Sequence, residues 1–248
     1  MTASFSVPPG TPPMPALRAA AALPALVAGV GADYLGVWRR DLLAAPGVHD
    51  AATRRFWLQT ADWHADLELP PDRPDFTGVD GFAACTDAQL HWLAGQRAFA
   101  GITRLAEGGR LCCWDRQIDF ALGDAPDLGA NALAGDTLHE WGALAEYYEL
   151  WRREPGSAGG VSHAAEGAVH LLRAGSWFAR VRDRALPASP ALRARRARAE
   201  GHAGRAELIA FADLEVSIGR IGADGGATIA HSTLPWLEGL RIDLAPIG

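Results

Sequence analysis

Apolar and polar residues alternate along several short stretches of this chain, with the two-residue period of a half-buried β-strand. WHADLEL, at residues 63–69, places Trp, Ala and Leu side chains on one face and His, Asp and Glu side chains on the other. WFARVRD, at residues 177–183, repeats the pattern with arginines on its polar face. Further strands are predicted where β-branched and aromatic residues are bounded by Gly, Asp or Pro: LCCWDRQIDF (111–120), LHEWG with EYYELWRR (138–153) and ELIAFADLEVSIGRI (207–221).

Two short segments have the start signals of helices instead. Thr86 begins TDAQLHWLAGQR and Gln89 follows three residues later, which is the spacing of a capping box. In SPALRARRARAE, at residues 189–200, Pro190 occupies the first helical position, where its missing N–H does no harm. The sequence therefore predicts one helix in each half of the chain.

The pattern Tyr, three residues, Trp, Arg, Arg occurs twice, at residues 34–40 and 147–153. The two copies are 113 residues apart, and matching landmarks follow each copy in the same order. The landmarks are RFWLQTADWHADLEL (55–69) with VHLLRAGSWFARVRD (169–183), and the Gly-Gly turns at 108–109 and 225–226. Landmarks in one order and at nearly one spacing indicate the duplication of a unit of about 110 residues.

Strands that follow one another in a meander must hide their edges, and closing the sheet into a barrel does so. The expected fold class is therefore mainly all-β, with two tandem antiparallel β-barrels from an internal duplication, each with one short helix. We expect an N-terminal leader at residues 1–30, a first barrel at 31–143 and a second barrel at 144–248. Residues 119–136 and 154–160 are expected to be linkers.

Composition and charge narrow the class of protein. Hydrophobic residues make up 49% of the 248 positions, which is enough to form real cores. The formal net charge of −6 argues against a protein that coats nucleic acid or an anionic membrane. No Lys occurs, and the heavy use of Arg, Ala and Gly indicates the coding bias of a GC-rich bacterial genome. No stretch approaches about eighteen uninterrupted apolar residues, so no membrane span is expected.

The cysteines and the N-terminus bear on the cellular compartment. Cys85, Cys112 and Cys113 are an odd number and two of them are adjacent, so we expect buried, reduced thiols and a cytoplasmic protein. One alternative stays open, because translation from Met14 would leave Arg18 followed by an apolar run, as in a secretory signal. The prolines within this run and its weak, Ala-based hydrophobicity favour a flexible leader.

Gly36, Val37 and Trp38 resemble the G-x-W motif of the calycin superfamily, which contains the lipocalins and fatty-acid-binding proteins. The resemblance implies that Trp38 lies on the first strand and closes one end of a barrel, often beneath an arginine from a late strand. Arg116 or Arg104 could supply that arginine. The second copy of the repeat has lost the glycine, which puts its barrel-end geometry in doubt.

A longer series of segments covers most of the chain from residue 30 onward and is similar to the Hri family of fungal and bacterial proteins. The segments are YLGVWRRDLL, FWLQT, WHADLELP, RPDF, CCWDRQIDF and EYYELWRR. This resemblance implies two successive calycin-like barrels. It implies no catalytic residues, because no biochemical activity is assigned to that family.

Aromatic and hydrogen-bonding side chains share strand faces in the first half of the chain, as Trp38 does with Arg40 and Trp114 with Arg116. An apolar cavity with a few polar groups is the usual form of a small-molecule site, and a barrel of this size can hold one small ligand. The alternative is that the tryptophans only fill the cores. The predicted ligand-binding residues are Trp38, Arg40, Trp57, Gln59, Trp63, His64, Asp66, Trp114, Arg116 and Asp119.

His64, Asp66 and Glu68 alternate on one strand face, and two of them could approach one metal ion or act as an acid and a base. A third ligand would come from another strand, from Asp119 or Asp115. The alternative is that this face is the solvated outer side of a half-buried strand.

Three functions are therefore carried forward in order of preference. The first is a barrel that binds a small, largely apolar ligand, and the second is a protein-interaction or structural module with filled barrels. The third is a barrel enzyme that uses His64, Asp66 and Asp119. No cofactor is predicted, because the chain lacks G-x-S-x-G, a G-x-G-x-x-G on a βα unit and a Walker-type lysine. The adjacent His139 and Glu140 are interpreted as ordinary surface or core polar residues.

Overall fold

Two antiparallel sheets carry the fold in this computed structural model, which describes residues 5–16, 25–122, 125–185 and 188–244. Strands make up 44% and helices 15%, which confirms the expected mainly β class. The first sheet contains β1 (Val27–Ala28), β2 (Gly36–Ala45), β3 (Val48–Asp50), β4 (Arg54–Gln59), β5 (Trp63–Leu69), β6 (Ala98–Ala106), β7 (Leu111–Asp119), β8 (Leu128–Ala134), β9 (Thr137–Gly142) and β10 (Tyr148–Arg153). The second contains β11 (Val161–Glu166), β12 (Val169–Ala174), β13 (Trp177–Arg182), β14 (Glu215–Ile221), β15 (Ala227–Ser232) and β16 (Arg241–Ile242).

The α-helices are α1 (Asp87–Ala94), α2 (Ala188–Ala199) and α3 (Arg205–Ala212). The predicted capping box of α1 is confirmed: the Gln89 backbone N–H donates to the Thr86 hydroxyl oxygen at 3.2 Å, and the Thr86 N–H donates to the Gln89 side-chain oxygen at 2.7 Å. None of the helices in the described ranges is long and apolar enough to cross a membrane.

Eight strands of the first sheet close into a barrel. They follow the order β2, β4, β5, β6, β7, β8, β9, β10, and each pairs antiparallel with the next. β10 then returns to β2, so the ring of hydrogen bonds is complete. The short strands β1 and β3 add to β6 and β2 from outside this ring. This is the up-and-down arrangement, in which closure leaves no unpaired barrel edge.

The second copy of the Tyr-Trp-Arg-Arg repeat lies in this same barrel. β10 pairs antiparallel with β2, which carries the first copy, and Arg153 stands opposite Trp38. The expectation that residues 147–153 open a second barrel is therefore wrong, because the eighth strand is needed to close the first. The internal duplication, and the division of the chain between residues 143 and 144, remain predictions.

The second sheet is a curled half-barrel of six strands, running in order from β11 to β16. Two helices, rather than the one expected, lie between β13 and β14. Residues 207–212 were expected as strand but belong to α3, whose buried residues Leu208, Phe211 and Ala212 recur at helical spacing. Conversely, the expected linker at 119–136 contains β8.

The two sheets share one hydrophobic core. Leu58 of β4 and Leu67 of β5 belong to the same buried cluster as Leu172, Val216 and Ile218 of the second sheet. The apolar faces of β4 and β5 thus point out of the barrel toward the half-barrel, so the alternation predicted for WHADLEL is confirmed. Its polar face is left to line the inside of the barrel.

Candidate functional site

One end of the barrel interior is filled by aromatic rings. Trp57 lies at the centre, with its ring centroid 6.3 Å from that of Trp38, 5.6 Å from Trp114 and 6.0 Å from Trp151. Tyr34, from the turn before β2, contacts Trp57 edge-on at 6.3 Å. The interplanar angles are those of offset and T-shaped pairs, the favourable geometries for aromatic side chains. This cluster closes one end of the barrel and forms the floor of the space above it.

Arg153 covers Trp38 at this closed end. Its guanidinium carbon lies 4.4 Å from the centroid of the Trp38 ring, and the guanidinium donates to the backbone carbonyl of Leu35. The late-strand arginine implied by the G-x-W resemblance is thus Arg153, and neither Arg116 nor Arg104 occupies that place. The sequence already contained it, as the last residue of the second Tyr-Trp-Arg-Arg copy.

Above the aromatic floor lies a cavity of about 370 Å³. Ala145 and Glu146, in the turn between β9 and β10, line it and are exposed, as is Arg97 before β6, so the cavity opens to solvent at this end. Its wall is formed by Arg40, Leu43, Ala45, Arg55, Trp57, Asp66, Arg97, Phe99, Trp114, Arg116, Asp127, Glu140, Ala145, Glu146, Tyr147, Glu149 and Trp151.

Ion pairs run around the middle of this wall. The pairs are Arg40 with Glu149 at 2.6 Å, Arg55 with Asp66 at 2.8 Å, and Arg116 with Asp127. Burial raises the pKa of Asp66 to about 6, against the opposing effect of Arg55. A buried carboxylate and guanidinium that satisfy each other avoid the cost of an isolated buried charge.

Glu140 differs from these carboxylates because it has no cationic partner within the part of the chain that the structure describes. It is 4% exposed, and its Oε1 accepts a hydrogen bond from the Tyr147 hydroxyl at 2.8 Å. Glu149 stands directly opposite it across β9 and β10. Burial and the neighbouring Glu149 raise the pKa of Glu140 well above its ordinary range.

A glycine lets Glu140 and Trp114 meet. A Cβ atom at position 129 would lie 2.9 Å from both the Glu140 Cγ and the Trp114 ring. Real side chains do not tolerate such contacts without a shift, so Gly129 of β8 provides the room in which the acid and the indole lie side by side.

Half of the predicted site residues line the cavity. These are Arg40, Trp57, Asp66, Trp114 and Arg116. Trp38, Gln59 and His64 lie inside the barrel as well, but in its filled part, where Gln59 accepts hydrogen bonds from the Trp57 indole at 3.0 Å and the Thr103 hydroxyl at 2.7 Å.

The two remaining predicted residues lie away from the cavity. Asp119 is at the rim of the barrel, with its carboxylate 3.6 Å from Arg116. Trp63 is on the outer face, where its ring stacks on His163 and His170 of the second sheet at centroid distances of 4.7 and 4.2 Å. It therefore contributes to the contact between the sheets.

His64 is fully buried inside the barrel, and Asp66 follows it on the same inner face. The alternative that this face is a solvated outer surface is therefore wrong. The His64 Nδ1 is 3.0 Å from the Thr103 hydroxyl, and burial, together with Arg116, lowers the pKa of His64 to about 3. Among the described residues no three His, Cys, Asp or Glu side chains are placed to hold a metal ion. The imidazole is thus a neutral partner of a hydroxyl, without the carboxylate that the acid–base hypothesis requires.

Several cavity residues were not singled out from the sequence: Arg55, Arg97, Phe99, Asp127, Glu140, Tyr147, Glu149 and Trp151. A signal for some of them was present, because period-two alternation in EYYELWRR puts Tyr147, Glu149, Trp151 and Arg153 on one face. For Glu140 there was none, since only the pairing of β9 with β10 brings it opposite Glu149.

No family model and no curated protein matches this chain. A solved structure that is similar to it is that of an uncharacterized protein, YLR301w, from Saccharomyces cerevisiae. The two have 11% sequence identity and a TM-score of 0.48, over 79% of this chain and 84% of that one. At this level the likeness says nothing about function, which has to follow from the geometry of the site.

Proposed function

We propose that the first barrel binds one small molecule in the cavity between its aromatic floor and its open end. The observation that carries this proposal is the cavity itself, whose volume of about 370 Å³ lies within the usual range for ligand pockets. A solidly packed barrel would have favoured the interaction module instead.

The chemistry of the wall refines the ligand expected from the sequence. Trp57, Trp114 and Trp151 offer flat apolar surfaces, whereas the ion pairs of Arg40 and Arg55 lie higher in the same wall. A purely apolar ligand would cover these charged groups without replacing their contacts with water, at a cost in binding free energy. We therefore expect a ligand with a flat apolar part and at least one polar group.

The proposal includes an assignment of the barrel to the calycin type, and of the whole chain to an Hri-like protein. Support comes from the closed end, where a turn before the first barrel strand leads into Trp38 and Arg153 from the last strand covers it. In the calycin superfamily, such a barrel holds its ligand at the opposite, open end. The cavity has that position here.

Filling the cavity tests the proposal. Ala45 lines it, so Ala45→Phe should weaken binding by about tenfold or more, because an added ring competes with the ligand for space. The measurement is a titration with a panel of lipids, haem and aromatic fluorophores, followed by intrinsic tryptophan emission.

Val48→Phe is the matched control, because Val48 lies on the neighbouring short strand β3 and is 46% exposed. It should bind as the wild type does. If no panel member changes the wild-type emission in a saturable way, or if Ala45→Phe binds as tightly as the wild type, the proposed function is wrong.

A further inference from the structure

The charges of the cavity wall do not balance. Each of the buried arginines is already paired with a carboxylate of the barrel, as described above. Arg97 has no ion pair among the described residues, but it is exposed at the open end. Glu140 is thus the buried acid that lacks a cation, and no buried arginine is free to serve an anionic ligand at its depth.

The position of Glu140 is costly for an empty barrel. It stands in register with Glu149, and like charges directly opposite each other on neighbouring strands destabilise a sheet. Glu149 is engaged by Arg40 at 2.6 Å, which leaves Glu140 to hold a proton while the cavity is empty. The other titratable or charged groups around Glu140 are Tyr147, Asp127, Arg55, Cys112 and Tyr34.

The surroundings of Glu140 suit a positively charged group. The Tyr147 hydroxyl fixes the carboxyl by donating to one of its oxygens at 2.8 Å. Because residue 129 is glycine, the Trp114 ring lies beside the same carboxyl. A carboxylate next to an aromatic ring attracts an ammonium group through both charge and the ring's electron-rich face.

We propose that the ligand is an organic cation, an amine whose protonated nitrogen pairs with Glu140 and whose flat apolar part lies against Trp114 and the tryptophans beneath it. This inference rests on the proposed function and adds the chemical class of the ligand. When the amine enters, Glu140 releases its proton to solvent and becomes the carboxylate partner of the ammonium. An anionic ligand would face Glu140 and Glu149 with every buried arginine of the wall already paired.

Three probes with one ring system test this: naphthylmethylamine, naphthylmethanol and naphthoate, which are cationic, neutral and anionic at neutral pH. Binding to the full chain is measured by isothermal titration calorimetry. The amine should bind about tenfold more tightly than either of the others, as expected for one charge-assisted hydrogen bond.

Glu140→Gln is the diagnostic variant, because it keeps the shape of the side chain and removes its charge. It should remove the preference for the amine and leave the affinity for the alcohol unchanged. Glu166→Gln, at an exposed position of β11 in the half-barrel, is the matched control and should keep the preference. Thermal unfolding checks that both variants fold.

Proton release gives a second measurement that does not depend on affinity. Titrations in two buffers of different ionisation enthalpy should show release of about one proton per amine bound in the wild type and none in Glu140→Gln. If the alcohol or the acid binds as tightly as the amine, or if Glu140→Gln keeps the preference, the amine inference is overturned while the binding function stands. Binding of none of the probes at about 1 mM overturns the inference and counts against the binding function as well.

Discussion

Polar side chains inside the barrel bond to one another rather than to water. In the filled part, Thr103 connects Gln59 and His64, with distances of 2.7 Å from its hydroxyl to the Gln59 oxygen and 3.0 Å to the His64 ring. Such a network is stable only while each member keeps the protonation state that its partner requires. For His64 this is the neutral imidazole, because burial and Arg116 disfavour the cation.

This gives a prediction for the pH dependence of stability. The pKa of His64 is lowered from 6.5 to about 3 on folding, so its contribution is present above pH 6.5 and is lost as the pH falls toward 3. Relative to His64→Gln, the free energy of unfolding of the wild type should fall by about 2 kcal/mol between about pH 6.5 and pH 4.5.

Urea denaturation of both proteins across this range measures the difference, from which the titration of Asp66 and other shared groups cancels. His49→Gln, at an exposed position of β3, should follow the wild-type profile. A constant difference between the wild type and His64→Gln would show that His64 is not held neutral.

Individual residues also show how far site prediction from sequence can go. Trp114 and Arg116 were predicted correctly as neighbours on one strand face, because alternation is local. Arg55 and Glu140 were missed, since their importance comes from the strands that pair beside them. A register of hydrogen bonds between strands cannot be read from either strand alone.

At the scale of elements, β10 decides whether the barrel exists. It supplies the hydrogen bonds that join β9 to β2, and its last residue, Arg153, binds the turn before β2 through the carbonyls of Leu35 and Asp33. The strand and its terminal arginine therefore hold the barrel closed in two different ways.

Substitution of the two adjacent arginines separates these contributions. Arg153→Met should lower the free energy of unfolding by about 3 kcal/mol, because it removes the contact with Trp38 and leaves two carbonyls without their donor. Arg152→Met should cost less than about 1 kcal/mol, since the Arg152 side chain is largely exposed and pairs with Asp41 only at the surface. Thermal or urea unfolding measures both values, and equal costs would contradict the role given to Arg153.

Strand and helix assignments differ in how well the sequence supports them. β5 and β13 were predicted from clear alternation, and α1 from its capping box. Residues 207–212 have the apolar and aromatic composition of a strand, but Leu208 and Phe211 are buried on one face of a helix. Tertiary burial overrides propensity in so short a segment.

At the scale of the whole molecule, the half-barrel and the barrel complete each other. Phe56, Leu58 and Leu67 on the outer face of the barrel would be exposed without the second sheet. Trp63 adds a stacked contact with His163 and His170 across the same boundary. We therefore expect the described parts of the chain to unfold as one cooperative unit, whatever the evolutionary origin of the two halves.

Leu58→Ala and Leu172→Ala test this from the two sides of the shared core, since both side chains are fully buried. Each should cost about 3 kcal/mol and should speed the hydrogen exchange of the most protected amides in β7 and β14 by the same factor. Exchange that changes only in the substituted sheet would show that the two sheets unfold independently.

The sequence by itself determined the mainly β class, most of the strands, the first helix and the inner polar face of β5, because these follow from local periodicity and capping. Tertiary structure alone decided which strands pair, and so it assigned the second Tyr-Trp-Arg-Arg copy to the first barrel and placed Arg153 over Trp38. It also brought Glu140 opposite Glu149 beside an open cavity. The physical reason is that alternation fixes the face on which a side chain lies, whereas its neighbours on that face come from strands distant in sequence.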